Sequence, residues 1–243
     1  MFHFSGWNRP PKWAFLDGHY LIPCRYIYRC GDLGFSFDRP FRMGGSSRFL
    51  TITFLLVPKE LSHLPKRIVR KMYRKKRKGG HAELKGVRLT QTEKFYFAGK
   101  AGNLLDRHPA IRVFSITIEK ETIKDHVRGD SGRLYNHVSN LVLPDRIKNA
   151  SLATVIPDKR SIKAKDSACL ADDLRAELWF ELKSNTVIEN NPREGLKSLN
   201  LRFVDWIGHI IWSRYEDKES EAYDMLKRHI EITPWRETLA GQY

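Results

Sequence analysis

Four acidic side chains lie at the edges of apolar segments in a chain that is otherwise rich in Lys and Arg. Asp158 follows the apolar run at residues 152–156, and Asp205 lies between Val204 and Trp206. Carboxylates are the ligands that hard divalent cations prefer, and such ions activate water for attack on a phosphodiester. The candidate catalytic and metal-binding residues, for Mg²⁺ or Mn²⁺ in a nuclease, are therefore Asp32, Glu83, Asp158 and Asp205.

The overall charge favours a polyanionic partner, most simply DNA or RNA. The 243 residues contain 43 Lys plus Arg against 28 Asp plus Glu, a formal net charge of +15. Residues 66–78 carry nine cations and no anion. Like charges at this density repel one another unless anions such as phosphates neutralise them, which favours contact with a nucleic-acid backbone. The alternative interpretation is a solvated helix face. The predicted nucleic-acid contacts are Arg70, Lys71, Arg74, Lys75, Lys76, Arg77, Lys78, Lys85, Lys159 and Arg160.

Several other classes of protein are disfavoured. The three cysteines include no Cys-x-x-Cys pair, which argues against a zinc site and favours a reducing cytoplasm. No apolar run approaches the roughly 20 residues that cross a bilayer, and the N-terminal residues lack the apolar core of a signal peptide. The glycines form neither a P-loop nor a dinucleotide fingerprint. We expect a cytoplasmic protein without a membrane partner, and the sequence leaves its oligomeric state open.

The elements that must position these groups follow from hydrophobic periodicity. Strands are predicted at residues 25–30, 48–57, 111–119, 152–156 and 185–189, and helices at 64–78, 92–105, 134–148, 172–182, 199–215 and 220–230. This order predicts an α/β fold with a mixed central sheet flanked by helices, in one domain at residues 14–232 with terminal extensions at 1–13 and 233–243. Functional groups of such sheets gather at the carboxyl ends of strands, where Asp32 and Asp158 fall.

Four short segments resemble, in order and spacing, the motifs of one known family. Residues 26–35 are similar to a strand with a D-E-S-G-D-x-G motif, and Glu83-Leu84-Lys85 is similar to an E-L-K element. Residues 155–161 are similar to a strand that ends in D-x-R, and residues 201–208 are similar to a helix with an L-Q-x-A-D core. The family is that of the domain of unknown function 3800, a ribonuclease H-like group of predicted nucleases. Over about residues 26–226, the resemblance implies a ribonuclease H-like fold and metal-dependent cleavage of DNA or RNA, in a bacterial defence or mobile-element setting.

The chain departs from the family pattern at three positions. Tyr28 stands where the family has its first metal-binding Asp, Arg29 replaces the following Glu, and Arg202 replaces the Gln of the late helix. A neutral phenol is a poor substitute for a carboxylate. The alternative function is therefore a catalytically inactive ribonuclease H-like module that binds nucleic acid or another partner.

Residues near Asp205 allow two interpretations each. His209 lies one helical turn after Asp205, so it is either a metal ligand or general acid, or a packed core residue. Trp206 is predicted to lie in the core by its spacing, whereas Trp212 and Tyr215 fit either the core or the stacking of bases.

Overall fold

A mixed six-stranded sheet forms the centre of the computed structural model, which describes residues 19–27, 47–76, 84–123, 131–158, 164–194, 198–233 and 235. Its strands are β1 (His19–Ile27), β2 (Phe49–Pro58), β3 (Arg112–Glu119), β4 (Leu152–Pro157), β5 (Val187–Asn190) and β6 (Ile230–Thr233). Their order in the sheet is β5-β4-β1-β2-β3-β6. The β1–β2 and β2–β3 pairs are antiparallel, and the other three pairs are parallel.

β2 shows why the centre of the sheet forms where it does. Its sequence FLTITFLLVP is rich in β-branched and aromatic residues, and almost every position is buried. A strand buried on both faces requires helices on both sides of the sheet. The chain supplies those helices in the connections between strands.

Helices cover both faces of the sheet and create two apolar cores. On one face lie α3 (Ser131–Val142), α4 (Pro144–Ile147) and α5 (Ala164–Ala176), which continues into a π-helical turn at Glu177–Glu181. On the other face lie α1 (His63–Lys76), α2 (Gln91–Arg107) and α6 (Leu199–Glu216), and a short α7 (Glu221–Asp224) follows. Alternate residues of β2 point to the two cores, with Ile52 and Phe54 on the α3 side and Leu55 and Val57 on the α6 side.

The predicted fold class is confirmed. The sheet contains three antiparallel strands, β1, β2 and β3, and β4 and β5 run parallel to β1. This topology is consistent with a ribonuclease H-like fold. None of the helices in the described ranges is long and apolar enough to cross a lipid bilayer.

The last predicted helix, at residues 220–230, is wrong over most of its length. Only Glu221–Asp224 is α-helical, a 3₁₀ turn follows at Lys227–His229, and the chain then enters β6. β6 pairs in parallel with β3, because the outer edge of β3 offers backbone groups that a strand can satisfy. The alternation of Ile230 and Ile232 with polar residues is the strand signal that the helical interpretation overlooked.

Two other elements begin well before their predicted starts. β1 begins at His19 rather than at residue 25, and it overlaps the prediction at residues 25–27. α5 begins at Ala164, eight residues before the predicted start, and the predicted end of that helix is the π-helical turn. Local periodicity predicts whether a segment is a helix or a strand more accurately than it predicts where that element begins and ends.

Candidate functional site

The described residues include two of the four predicted metal ligands, Asp158 and Asp205. Asp32 and Glu83 lie outside the described residues. Of the predicted nucleic-acid contacts, Arg70, Lys71 and Arg74 are exposed on α1, and Lys85 is half-buried. The remaining contacts have no described side chain: Lys75, Lys76, Arg77, Lys78, Lys159 and Arg160.

Asp205 lies in the middle of α6 and is only 5% exposed. Its Oδ2 atom accepts a hydrogen bond from the backbone N–H of Gly86 at 2.8 Å. A buried carboxylate is unfavourable unless donors or cations surround it, and an amide hydrogen bond to a charged acceptor is among the stronger ones. The contact fixes the orientation of this carboxylate.

The segment around Gly86 is held against α6 by further contacts at Leu84. The carbonyl oxygen of Leu84 accepts hydrogen bonds from Trp206 Nε1 at 3.0 Å and from Arg202 Nη1 at 3.4 Å. The backbone N–H of Leu84 donates a hydrogen bond to the Tyr73 hydroxyl at 3.2 Å. The described end of the predicted E-L-K element is therefore held against α6 at Arg202 and Trp206, on either side of Asp205 in the sequence.

Gly86 allows this segment to approach α6 closely. A Cβ atom at residue 86 would lie 2.6 Å from the Cβ of His209 and 3.0 Å from the carbonyl oxygen of Asp205. The 2.6 Å distance is too short for a methyl group and the 3.0 Å distance is tighter than an ordinary contact, so this packing requires glycine. His209 itself is 6% exposed and its ring stacks on Trp212 with centroids 5.5 Å apart, which agrees with the packed interpretation of this histidine.

Asp158 follows the last residue of β4 and is 1% exposed. Ala153 and Val155 of this strand belong to the core on the α3 side, so alternation places Asp158 on the α6 side. Within the sheet, Pro157 pairs with Cys24 of β1, and an isolated parallel bridge joins Asp158 to Arg193. Asp158 and Asp205 therefore lie on the same side of the sheet.

The sheet surface beneath α6 becomes polar towards the carboxyl end of β1. The side-chain oxygens of Thr53 and Ser115 lie 3.2 Å apart, and those of Thr51 and Thr117 lie 3.0 Å apart. All of these except Thr117 are fully buried. In the sequence these hydroxyls alternate with apolar residues, at positions 51 and 53 of β2 and 115 and 117 of β3. This alternation could have indicated a polar patch on the sheet, but the sequence analysis did not connect it with the site.

The carboxyl end of α6 is tied to the same edge of the sheet. Glu216 accepts hydrogen bonds from the backbone N–H groups of Arg48 and Phe49, both at 2.9 Å. Trp212 Nε1 donates to the carbonyl oxygen of Phe49 at 3.2 Å. These contacts at the start of β2 fix α6 along the sheet, and with it the position of Asp205.

The aromatic residues of α6 are mostly core residues. Trp206 and Trp212 are 0% and 1% exposed, so neither ring is open to a base in this conformation. Tyr215 is half-buried against the ring of Phe49, at a centroid distance of 5.6 Å, and burial raises the pKa of its phenol. The prediction for Trp206 is confirmed, and the open question on Trp212 is decided in favour of the core.

The described candidate ligands have the right kind of donor atom for a divalent cation, but there are too few of them to form a complete site. Among the described residues, no group of three or more His, Cys, Asp or Glu side chains is arranged to hold a metal ion. Asp158 and Asp205 are buried on one side of the sheet, and carboxylate oxygens are the donors that Mg²⁺ and Mn²⁺ prefer. The two remaining candidate ligands belong to the undescribed part of the chain.

No family model matches the chain, and no curated protein matches its sequence. The resemblance to the domain of unknown function 3800 family stays a prediction.

Proposed function

We propose that this protein cleaves phosphodiester bonds of DNA or RNA with the help of Mg²⁺ or Mn²⁺. One observation carries the proposal: two carboxylates distant in sequence, Asp158 and Asp205, are buried on the same side of the sheet. Buried carboxylates are unfavourable unless hydrogen-bond donors or cations surround them. A divalent cation is one such group, and it is the one that phosphodiester cleavage uses.

The residues have separable roles in this proposal. Asp158 and Asp205 would hold the cation together with Glu83, and Asp32 is a candidate for a fourth ligand. The bound ion would supply a polarised water and neutralise charge on the phosphate. The Gly86 amide holds the Asp205 carboxylate in one orientation, and the half-buried Lys85, its neighbour in the chain, would place a positive charge beside a phosphate oxygen.

A second candidate is a catalytically inactive protein that keeps the fold and binds nucleic acid. One observation favours it: Tyr28 stands where the family that the chain resembles has its first metal-binding Asp.

A cleavage assay separates the two candidates. Purified protein is incubated with labelled single-stranded DNA, duplex DNA and RNA in Mg²⁺, Mn²⁺ or a chelator. The natural chain should cut in the presence of metal only. Asp158→Asn and Asp205→Asn should each lower the rate by about 100-fold or more, because even neighbours of metal ligands are worth about 10- to 100-fold.

Asp145→Asn is the matched control. Asp145 is an exposed acid on α4, on the opposite face of the sheet, and this variant should cut like the natural chain. Equal cutting by the natural chain and both site variants would overturn the proposed site. A silent natural chain whose Tyr28→Asp variant cuts would identify the protein as the inactive form.

A further inference from the structure

A groove lined by cations runs between α1 and α2. It encloses about 650 Å³, and its walls carry five positive side chains, one aromatic ring and one aliphatic side chain: Arg67, Ile68, Arg70, Lys71 and Arg74 of α1, with Tyr96 and Lys100 of α2. We call this surface the cationic groove. None of these described lining side chains is acidic.

The five cations of the groove differ from several cations on other described helices and turns. Three exposed pairs at a spacing of three residues neutralise one another on other elements: Lys148 with Asp145, Arg175 with Asp172, and Lys227 with Asp224. Within the described ranges, no carboxylate forms an ion pair with a cation of the groove. Because such a concentration of like charge is self-repulsive, it indicates an anionic ligand rather than an ordinary solvated surface.

The spacing of the cations suits a linear polyanion. Arg67, the pair Arg70 and Lys71, and Arg74 succeed one another at intervals of three or four residues along α1. An α-helix advances about 5.4 Å per turn, so the positive charges form a row with about that repeat. This repeat is on the scale of successive phosphates in an extended strand, and Lys100 adds a cation on the opposite wall.

Tyr96 distinguishes the groove from a simple electrostatic surface. Its side chain is half-buried in the groove wall, and the Lys100 ammonium lies 5.6 Å from the centre of the ring. Proteins that bind single strands combine a basic groove for the backbone with aromatic rings on which bases stack. In a duplex the bases are already stacked on one another and cannot reach such a ring.

We propose that the cationic groove binds single-stranded nucleic acid, with the phosphates on the α1 cations and a base on Tyr96. The inference rests on the proposed function in one respect only, that the ligand is a nucleic acid. The helix that carries the groove cations also contacts the candidate site, because the ring of Tyr73 lies 6.2 Å from that of Trp206 and its hydroxyl accepts the hydrogen bond from Leu84. A strand bound in the groove would therefore lie on the same helix that contacts this segment.

Fluorescence anisotropy with a short labelled oligothymidine tests the inference, in a chelator so that no cleavage occurs. Arg70→Glu and Arg74→Glu should each weaken binding by about tenfold or more at low salt and flatten the salt dependence. Tyr96→Ala should weaken binding by about 5- to 150-fold, the range measured for base stacking, while Tyr96→Phe should bind like the natural chain. Lys148→Glu, an exposed cation on the opposite face of the sheet, is the matched charge-reversal control.

Competition identifies the ligand class. A single strand should displace the labelled strand at a lower concentration than duplex DNA, heparin or polyglutamate. Equal competition by all four polyanions, or unchanged binding by Tyr96→Ala, would overturn the assignment to single strands. Preferential competition by polyglutamate would identify an acidic protein partner and overturn it as well. Circular dichroism spectra and melting curves confirm that each exposed-surface variant is folded.

Failure of this inference is distinguishable from failure of the proposed function. Asp158→Asn should lose cleavage and keep single-strand binding, whereas the groove variants should raise KM and leave kcat nearly unchanged. Single-strand binding without any cleavage overturns the nuclease and leaves the groove standing. Cleavage with unchanged KM in the groove variants overturns the groove and leaves the nuclease standing.

Discussion

At the scale of single residues, the candidate site depends on two neighbouring features of one short segment. The Gly86 N–H satisfies a buried carboxylate, and the missing side chain of Gly86 lets the backbone lie against α6. A substitution at this position therefore acts on packing and on the orientation of Asp205 together. Neither effect depends on a bound metal, so both are measurable in the isolated protein.

Gly86→Ala should lower the free energy of unfolding by about 1–3 kcal/mol, the usual cost of forcing a methyl group into a packed contact. Urea denaturation followed by tryptophan fluorescence measures the change. Gly102→Ala in α2 is the control, because a methyl group there would lie 3.5 Å from the nearest atom, an ordinary contact. That variant should be unchanged or more stable by up to about 1 kcal/mol, as helix propensity favours alanine. Equal stability of the natural chain and Gly86→Ala would contradict the close packing described.

At the scale of elements, α2 contributes a wall of the cationic groove and begins at a well-defined cap. The Thr90 side chain accepts a hydrogen bond from the Glu93 N–H at 3.3 Å, and the Glu93 carboxylate accepts one from the Thr90 N–H at 2.8 Å. Two N–H groups at the helix start are thus satisfied reciprocally. The residues T-Q-T-E just before an apolar run are a sequence signature of this start.

Thr90→Ala should destabilise the protein by about 1 kcal/mol, since the loss of an N-cap oxygen costs about 0.5–2 kcal/mol. Thermal melting provides the measurement. Thr92→Ala removes the same kind of side chain from an exposed position in the first turn, and it should have little effect or a slightly stabilising one. If the two variants melt alike, the capping box does not contribute as described.

At the scale of the whole molecule, the two faces of the sheet differ in polarity. The side covered by α3, α4 and α5 is a continuous apolar core, whereas the side covered by α6 carries buried hydroxyls, Asp158 and Asp205 towards the carboxyl end of β1. The ionisable groups of the first side affect stability rather than the candidate site. His137 of α3 belongs to this class, because partial burial lowers the pKa of its imidazole.

Stability should fall as the solution is acidified below about pH 6.5, the ordinary pKa of histidine, because the unfolded chain then takes up a proton that folded His137 resists. The contribution is fully present above that pH and is lost as the pH falls through the lowered pKa. His137→Gln should flatten the dependence of the unfolding free energy on pH across this range. Denaturation curves at a series of pH values measure it, and parallel profiles for the two proteins would rule out this source.

The sequence by itself determined the fold class, the presence of most elements, and the location of Asp158 at a strand end and Asp205 in an apolar helix. These are local properties, because hydrophobic periodicity and turn residues act within one element. The same locality explains the error at residues 220–230, since β6 forms only because β3 presents an unpaired edge at that point.

Only the tertiary structure decided which side chains share a surface. The hydrogen bond between Gly86 and Asp205 joins residues 119 positions apart. Lys100 and Tyr96 of α2 face the row of cations that the sequence showed on α1 alone. Periodicity predicts that an apolar face of a helix or strand is buried, but it does not predict which other element packs against that face. The packing partner is determined only when the whole chain folds. The placement of Asp158 and Asp205 on one side of the sheet follows from strand register and helix packing, which no local pattern encodes.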